Sequence, residues 1–298
     1  MTDESHDFND NSFSSDSTDD VFQNLLARAI QGDADAQFEL CLWYESDNGT
    51  PQDLEKIIYW LMRSAASGHA QGQTSLGYCY FTGQGVAQDL EKAISWWKKA
   101  AEFSYAPAQG NVGNCYYEGK GVEQDLEKAI YWWTKSAELG YADAQYRLAK
   151  CYDHGEGVIQ DYKKAVYWYT LAAELGDANA QNNLAHYYYE GKGVVQDYEK
   201  AVYWLKKSAD LGNIEAQYNL GVCYFYGQGV TKNENGGVEW YMKAAKLGDA
   251  EAQYALFLCY FNGFGVAQDY EEAIYWLIEA AELGHVDAQK LLHSLKQI

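Results

Sequence analysis

The stretch CYDHGEG, Cys151 to Gly157, brings a thiol, an imidazole and two carboxylates together. Cys151, Asp153, His154 and Glu156 are side-chain types that ligate divalent metals. Against that chemistry, Cys151 is one of five cysteines at a recurring position, with Cys79, Cys115, Cys223 and Cys259. The position falls on the apolar face of a helix, which should turn the thiol away from the loop carboxylates. The cluster therefore reads as structural, and no metal or other cofactor is expected. The loops GQGVAQD (Gly83 to Asp89) and GKGVEQD (Gly119 to Asp125) have the glycine spacing of a phosphate-binding turn. No strand precedes them, neither continues into Gly-Lys-Ser/Thr, and the loop recurs in every unit, as a structural connection would. No HExxH pair and no serine or cysteine nucleophile elbow occurs. Carboxylates are abundant enough to leave paired acid–base chemistry open, but nothing singles out a pair, and no enzyme is expected.

The elements that would position any such group come from a strict period. Gln37, Gln73, Gln109, Gln145, Gln181, Gln217, Gln253 and Gln289 stand 36 residues apart, and a tryptophan column from Trp60 to Trp276 keeps the same step. A fixed period of this size marks one supersecondary unit stacked along a line. The units run 33–68, 69–104, 105–140, 141–176, 177–212, 213–248 and 249–284. In the unit from Tyr141 to Gly176, Ala144, Leu148 and Tyr152 share one helix face. Asp33, Asp177, Asn213 and Asp249 suit the N-cap of such first helices. Glycine pairs such as Gly155 and Gly157 supply the positive φ that ends them. Asp53, Asp89, Asp125, Asp161, Asp197 and Asp269 are N-caps for second helices, whose apolar set (Tyr162, Ala165, Val166, Trp168, Tyr169 and Ala173 in the same unit) is wide enough for two neighbours. The reading is all-α: seven 36-residue helical hairpins, with half-repeat caps at 21–32 and 285–298. The segment KNENGGVEW, Lys232 to Trp240, breaks the pattern, and Gly236 and Gly237 each weaken a helix start by roughly 1 kcal/mol relative to Ala. A frayed or bent second helix is expected there. The tryptophan column is expected to be core.

Composition narrows the partners. The formal charge is -21. Residues 1–20 hold seven acidic side chains and no basic one, and read as a disordered tail, because they cannot bury enough apolar surface to offset their ordering entropy. The rest, 21–298, still carries about -14, which argues against nucleic acid or an anionic membrane as the main partner. No signal-peptide pattern and no 18-residue apolar run is present, so a soluble cytoplasmic protein is expected, and the chain is expected to be a monomer. The cysteines then read as small buried thiols in a reducing compartment.

AQYNLGVCYFYGQGV (Ala216 to Val230) and QDYEKAVYWLKKSADLG (Gln196 to Gly212) closely resemble the Sel1-like repeat, a relative of the tetratricopeptide repeats, and the resemblance covers residues 21–298. It implies a right-handed α/α superhelical solenoid and the role of an adaptor or scaffold in protein complexes. Bacterial members include proteins that mediate contact with host cells. A cysteine-rich secreted branch has disulfides within its repeats and is linked to β-lactam binding or hydrolysis. This chain lacks that branch's two cysteines per unit and a signal peptide, so the activity is not carried over; it remains only as the alternative to an adaptor, beside a small-molecule or metal-binding regulator.

Positions that change from unit to unit on the first helix are offset by 0, 4, 7 and 11, one helical face. In superhelices of the resembling kind, first helices line the concave side, so these stripes should tile a groove. Arg147, Lys150 and His154 place positive and titratable groups on the middle stripe, flanked by Asn111, Asn114, Asn183, His186 and Asn219. Amides suit a peptide backbone, and Arg147 with Lys150 suits a carboxylate. Tyr78, Val222, Tyr226 and Leu258 supply apolar anchors. The expected partner is another protein or an extended peptide; the competing reading is a solvated face that varies freely.

Overall fold

Side-chain caps and glycines divide the chain into helices of nearly equal length, and the computed structural model describes them over residues 16–46 and 54–295. Sixteen helices and no strand occur among the described residues. By internal packing the chain forms two units, Met1–Trp132 and Trp133–Ile298. The first holds α1 (Asp16–Ile30), α2 (Ala34–Glu45), α3 (Leu54–Ala66), α4 (Ala70–Thr82), α5 (Leu90–Glu102) and α6 (Ala106–Glu118), and α7 (Leu126–Glu138) carries the division. The second holds α8 (Ala142–His154), α9 (Tyr162–Glu174), α10 (Ala178–Glu190), α11 (Tyr198–Asp210) and α12 (Ile214–Tyr226). It continues with α13 (Glu234–Lys246), α14 (Ala250–Asn262), α15 (Tyr270–Glu282) and α16 (Val286–Leu295). Within each unit, successive helices pack on one another, so hairpins stand side by side in the α/α solenoid pattern.

Each hairpin is built from local signals. Asp177 accepts the Ala180 N–H at 2.7 Å and starts α10; Asp33, Asn213 and Asp249 do the same for their first helices. His69 and His285 take this role through Nδ1, at 3.0 and 3.3 Å, a use of histidine the sequence did not suggest. Tyr105 and Tyr141 give no side-chain cap. At the other end Gly191, with φ 71°, ends α10 in the left-handed region. Two residues on, Gly193 lies so close to α9 that a Cβ would meet the Tyr162 carbonyl at 2.8 Å, so the second loop glycine is required by packing. Asp89, Asp125, Asp161, Asp197 and Asp269 then cap the second helices as expected. Asp53 lies outside the described residues.

The invariant glutamines share one task. Each sends Nε2 to the carbonyl eight residues back, in the last turn of the preceding second helix, from Gln37 to Ala29 at 3.0 Å through Gln289 to Ala281 at 2.9 Å. Each of these carbonyls already accepts the backbone N–H three residues on, as Ala29 does from Gly32 at 3.1 Å, and the glutamine fills its second acceptor site inside the core. The core itself alternates fully buried leucines (Leu40, Leu76, Leu148, Leu184, Leu220, Leu256) with alanines that let helices approach closely.

Three expectations are corrected. The helix α1 begins at Asp16, inside the segment read as tail, and residues 1–15 lie outside the described residues. Acidity that disfavours a core is compatible with a helix start, where negative charge meets the positive end of the dipole. The segment with Gly236 and Gly237 is not frayed: α13 has the same 13 residues as its counterparts, because Asn233 accepts the Gly236 N–H at 3.0 Å. Gly237 is there for contact, since a Cβ would stand 2.9 Å from both the Gly221 carbonyl oxygen and Phe225 Cβ. The tryptophan column is only partly core. Trp60, Trp204 and Trp276 are buried, whereas Trp96, Trp132, Trp168 and Trp240 are half-buried. Two of the half-buried indoles have a lysine close over the ring: Lys243 Nζ lies 3.5 Å from the Trp240 ring centre and Lys99 Nζ 4.0 Å from that of Trp96.

Candidate partner-binding face

The first helices carry the variable stripe, and the structure sorts its residues by how free they are. In the first unit, Tyr78 of α4 is 54% exposed, and Asn111 and Asn114 of α6 are half-buried. The three meet around a hollow of about 220 Å³ floored by Trp97. Trp97 is held there by donating Nε1–H to the Thr74 carbonyl at 2.9 Å.

In the second unit, α8 brings Arg147, Lys150 and His154 onto successive turns of one face, as the spacing requires. Their charges are not equivalent. Arg147 is half-buried, donates from Nε to Asp143 at 2.9 Å and lies over the Trp133 ring at 5.7 Å, so its charge is already answered. Lys150 is exposed, 5.9 Å from the Tyr146 ring. His154 is exposed and places Nδ1 3.0 Å from the carbonyl of Lys150 on its own helix. Asn183 of α10 sits against two phenols: burial pushes Tyr146 and Tyr169 up, and Asn183 pulls both partly back. His186, exposed, pairs with Glu190 at 3.2 Å. Asn219 and Val222 of α12 are half-buried, while Tyr226 of α12 (65%) and Leu258 of α14 (40%) are exposed apolar surface.

The ligand-like cluster at the end of α8 does not converge. Cys151 is buried, and burial holds its thiol up at about 11. Asp153 instead meets Lys192 Nζ at 3.5 Å. Among the described residues no group of His, Cys, Asp and Glu is placed to hold a metal ion. The cysteines there are free, with Cys41, Cys115, Cys223 and Cys259 buried and pushed up by burial in the same way. No described helix is long and apolar enough to cross a membrane.

What the stripe alone did not reveal is the second row beneath it. His186, Asn219 and Val222 form part of the wall of a cavity of about 330 Å³, whose floor includes Asn182 and Leu205. The signal was present: Tyr146 and Tyr218 stand 36 residues either side of Asn182, and Tyr169 and Tyr241 either side of Leu205. Reading it required knowing that these two columns face one another.

A family model described as Sel1 repeat matches residues 34–69, 70–102, 106–141, 142–177, 178–213, 214–249 and 250–285. Among solved structures, one similar protein is a protective antigen present in uropathogenic Escherichia coli strains that displays an SLR fold. It is 34% identical over 92% of this chain, with a TM-score of 0.86, and this chain spans 59% of its length. A Sel1 repeat protein from Oxalobacter formigenes is 33% identical, covering 77% of this chain and 94% of its own, with a TM-score of 0.68. No curated protein matches the chain in sequence.

Proposed function

The chain belongs to the Sel1 repeat family, and from that premise we propose that it is a non-catalytic adaptor that grips a partner polypeptide along the variable face of its first helices. One observation carries the reading. The repeat positions that change least are spent on the frame, as carbonyl-bound glutamines, buried aliphatic residues and second-helix caps, whereas Lys150, His154, His186, Tyr226 and Leu258 vary and stand exposed. A face that mixes cations, amides and aromatic anchors on rigid helices suits an extended peptide, with Lys150 meeting a carboxylate and Tyr226 and Leu258 meeting apolar side chains. The net negative charge of the chain favours a partner that is not itself an acidic polymer.

The test is a charge reversal. A partner recovered by affinity capture from the native host is purified and titrated against the protein and against Arg147→Glu/Lys150→Glu. Affinity should fall at least about tenfold, roughly 1.4 kcal/mol, with helicity unchanged. Because Asp143 already neutralises Arg147, Lys150→Glu alone should produce most of the loss. Normal binding by the double variant would remove this face from the interface.

A further inference from the structure

In the fourth repeat, Tyr146 of α8 and Tyr169 of α9 pack with ring centres 5.9 Å apart, and in the sixth, Tyr218 of α12 and Tyr241 of α13 do so at 5.7 Å. The fifth repeat places Asn182 and Leu205 at the same two positions. Two phenol rings are thus missing from a frame whose helices keep the same lengths, and the space left is the cavity of about 330 Å³ between α10, α11 and α12. Its size falls within the range of ligand sites. Leu205 and Val222 give it apolar walls, and Tyr218 offers a ring face.

One group in it has unmet chemistry. Asn182 is only 5% exposed, and its Oδ1 is buried with no hydrogen-bond partner. A buried acceptor without a donor is a standing cost that a ligand carrying a donor would remove. The cavity opens beside His186, Asn219 and Val222, which belong to the variable stripe. An aromatic ring with a hydroxyl at its far end satisfies both conditions: it fills the lost ring volume and donates to the orphaned oxygen.

We propose that this cavity receives the side chain of a tyrosine presented by the partner polypeptide, the ring packing between Leu205 and Tyr218 and the hydroxyl donating to Asn182 Oδ1. The proposal rests on the reading of the first-helix face as the partner-binding surface, and adds to it a specificity pocket for one residue type.

The experiment titrates the full chain with p-cresol, the tyrosine side chain without its backbone, and with toluene, while amide resonances are followed by NMR. Shifts from p-cresol should be confined to residues lining the cavity, and toluene, which has no donor, should bind about tenfold more weakly. Asn182→Tyr/Leu205→Tyr restores the ring pair of the neighbouring repeats; it should melt no lower than the native chain and lose p-cresol binding. Should that variant fail to fold, Asn182→Leu serves instead, and must bind p-cresol and toluene alike. N-acetyltyrosinamide should bind at least as tightly as p-cresol. No p-cresol shifts at the cavity, or equal binding of toluene to the native chain, overturns the pocket while leaving the Lys150 test of the face untouched. Binding of p-cresol but not of N-acetyltyrosinamide overturns the polypeptide source.

Discussion

The fourth and fifth repeats have the same frame and different interiors. Both first helices run 13 residues and end on a left-handed glycine, Gly155 and Gly191; both second helices run 13 residues and start on a capping aspartate, Asp161 and Asp197. Inside, the fourth closes on the Tyr146–Tyr169 ring pair with Tyr169 fully buried, and the fifth leaves a cavity beside Asn182 and Leu205. Caps and glycines act through backbone hydrogen bonds within a few residues, so they fix helix length regardless of what fills the middle. Packing density is a separate property, and the two repeats show that one can be relaxed while the other is kept.

The comparison can be broken most forcefully by moving the hole. Tyr169→Leu gives the fourth repeat the fifth repeat's small residue and should cost about 2–4 kcal/mol in denaturant unfolding, as large-to-small core changes do. If its stability matches the native chain, ring packing is not what distinguishes these repeats. A smaller effect is expected where frame and interior meet. Gly237→Ala installs the residue that Ala201 and Ala273 provide at the same place in flanking repeats, yet should destabilise by about 1–3 kcal/mol, because its Cβ would press on Gly221 and Phe225. A neutral or stabilising result would show that α13 can move away from α12.

The smallest effect sharpens the contrast between the two kinds of cap. Burial, above all, pushes the Asp177 carboxyl up, whereas the Lys200 backbone N–H, aided by the Lys200 side chain, holds Asp197 down. A raised carboxyl is better protonated in the folded state, so the contribution of Asp177 is full below its unfolded pKa and is lost as pH rises through its folded one. Asp197 does the reverse: its contribution is present above the unfolded pKa and lost as pH falls through the depressed folded value. Carboxyl NMR titration should therefore find Asp177 above and Asp197 below the ordinary aspartate range. Both on the same side would erase the distinction.

Much of the frame was legible because its signals are local. The period, the aspartate caps and the glycine ends of helices each follow from a few neighbouring residues, and among the described residues the helices lie between those signals. Gly236 and Gly237 misled for the same reason: a propensity argument weighs a glycine against solvent, while α13 answers to α12 and to the cap from Asn233. The stripe containing Lys150, His154 and His186 was also legible from spacing, and these residues do stand exposed. That Asp143 engages Arg147 needed rotamers as well as spacing, since an i,i+4 pair permits an ion pair without requiring one.

By itself the sequence determined the repeat, its family, the length of nearly every helix and which face of the first helices is free to change, since those depend on interactions a few residues long. Tertiary structure alone decided that the Asn182 and Leu205 columns face each other across a hairpin and that the glutamines reach back to a preceding helix. Volume and satisfaction of buried polar atoms depend on side chains far apart in the chain, and a one-dimensional pattern holds no record of which of them meet.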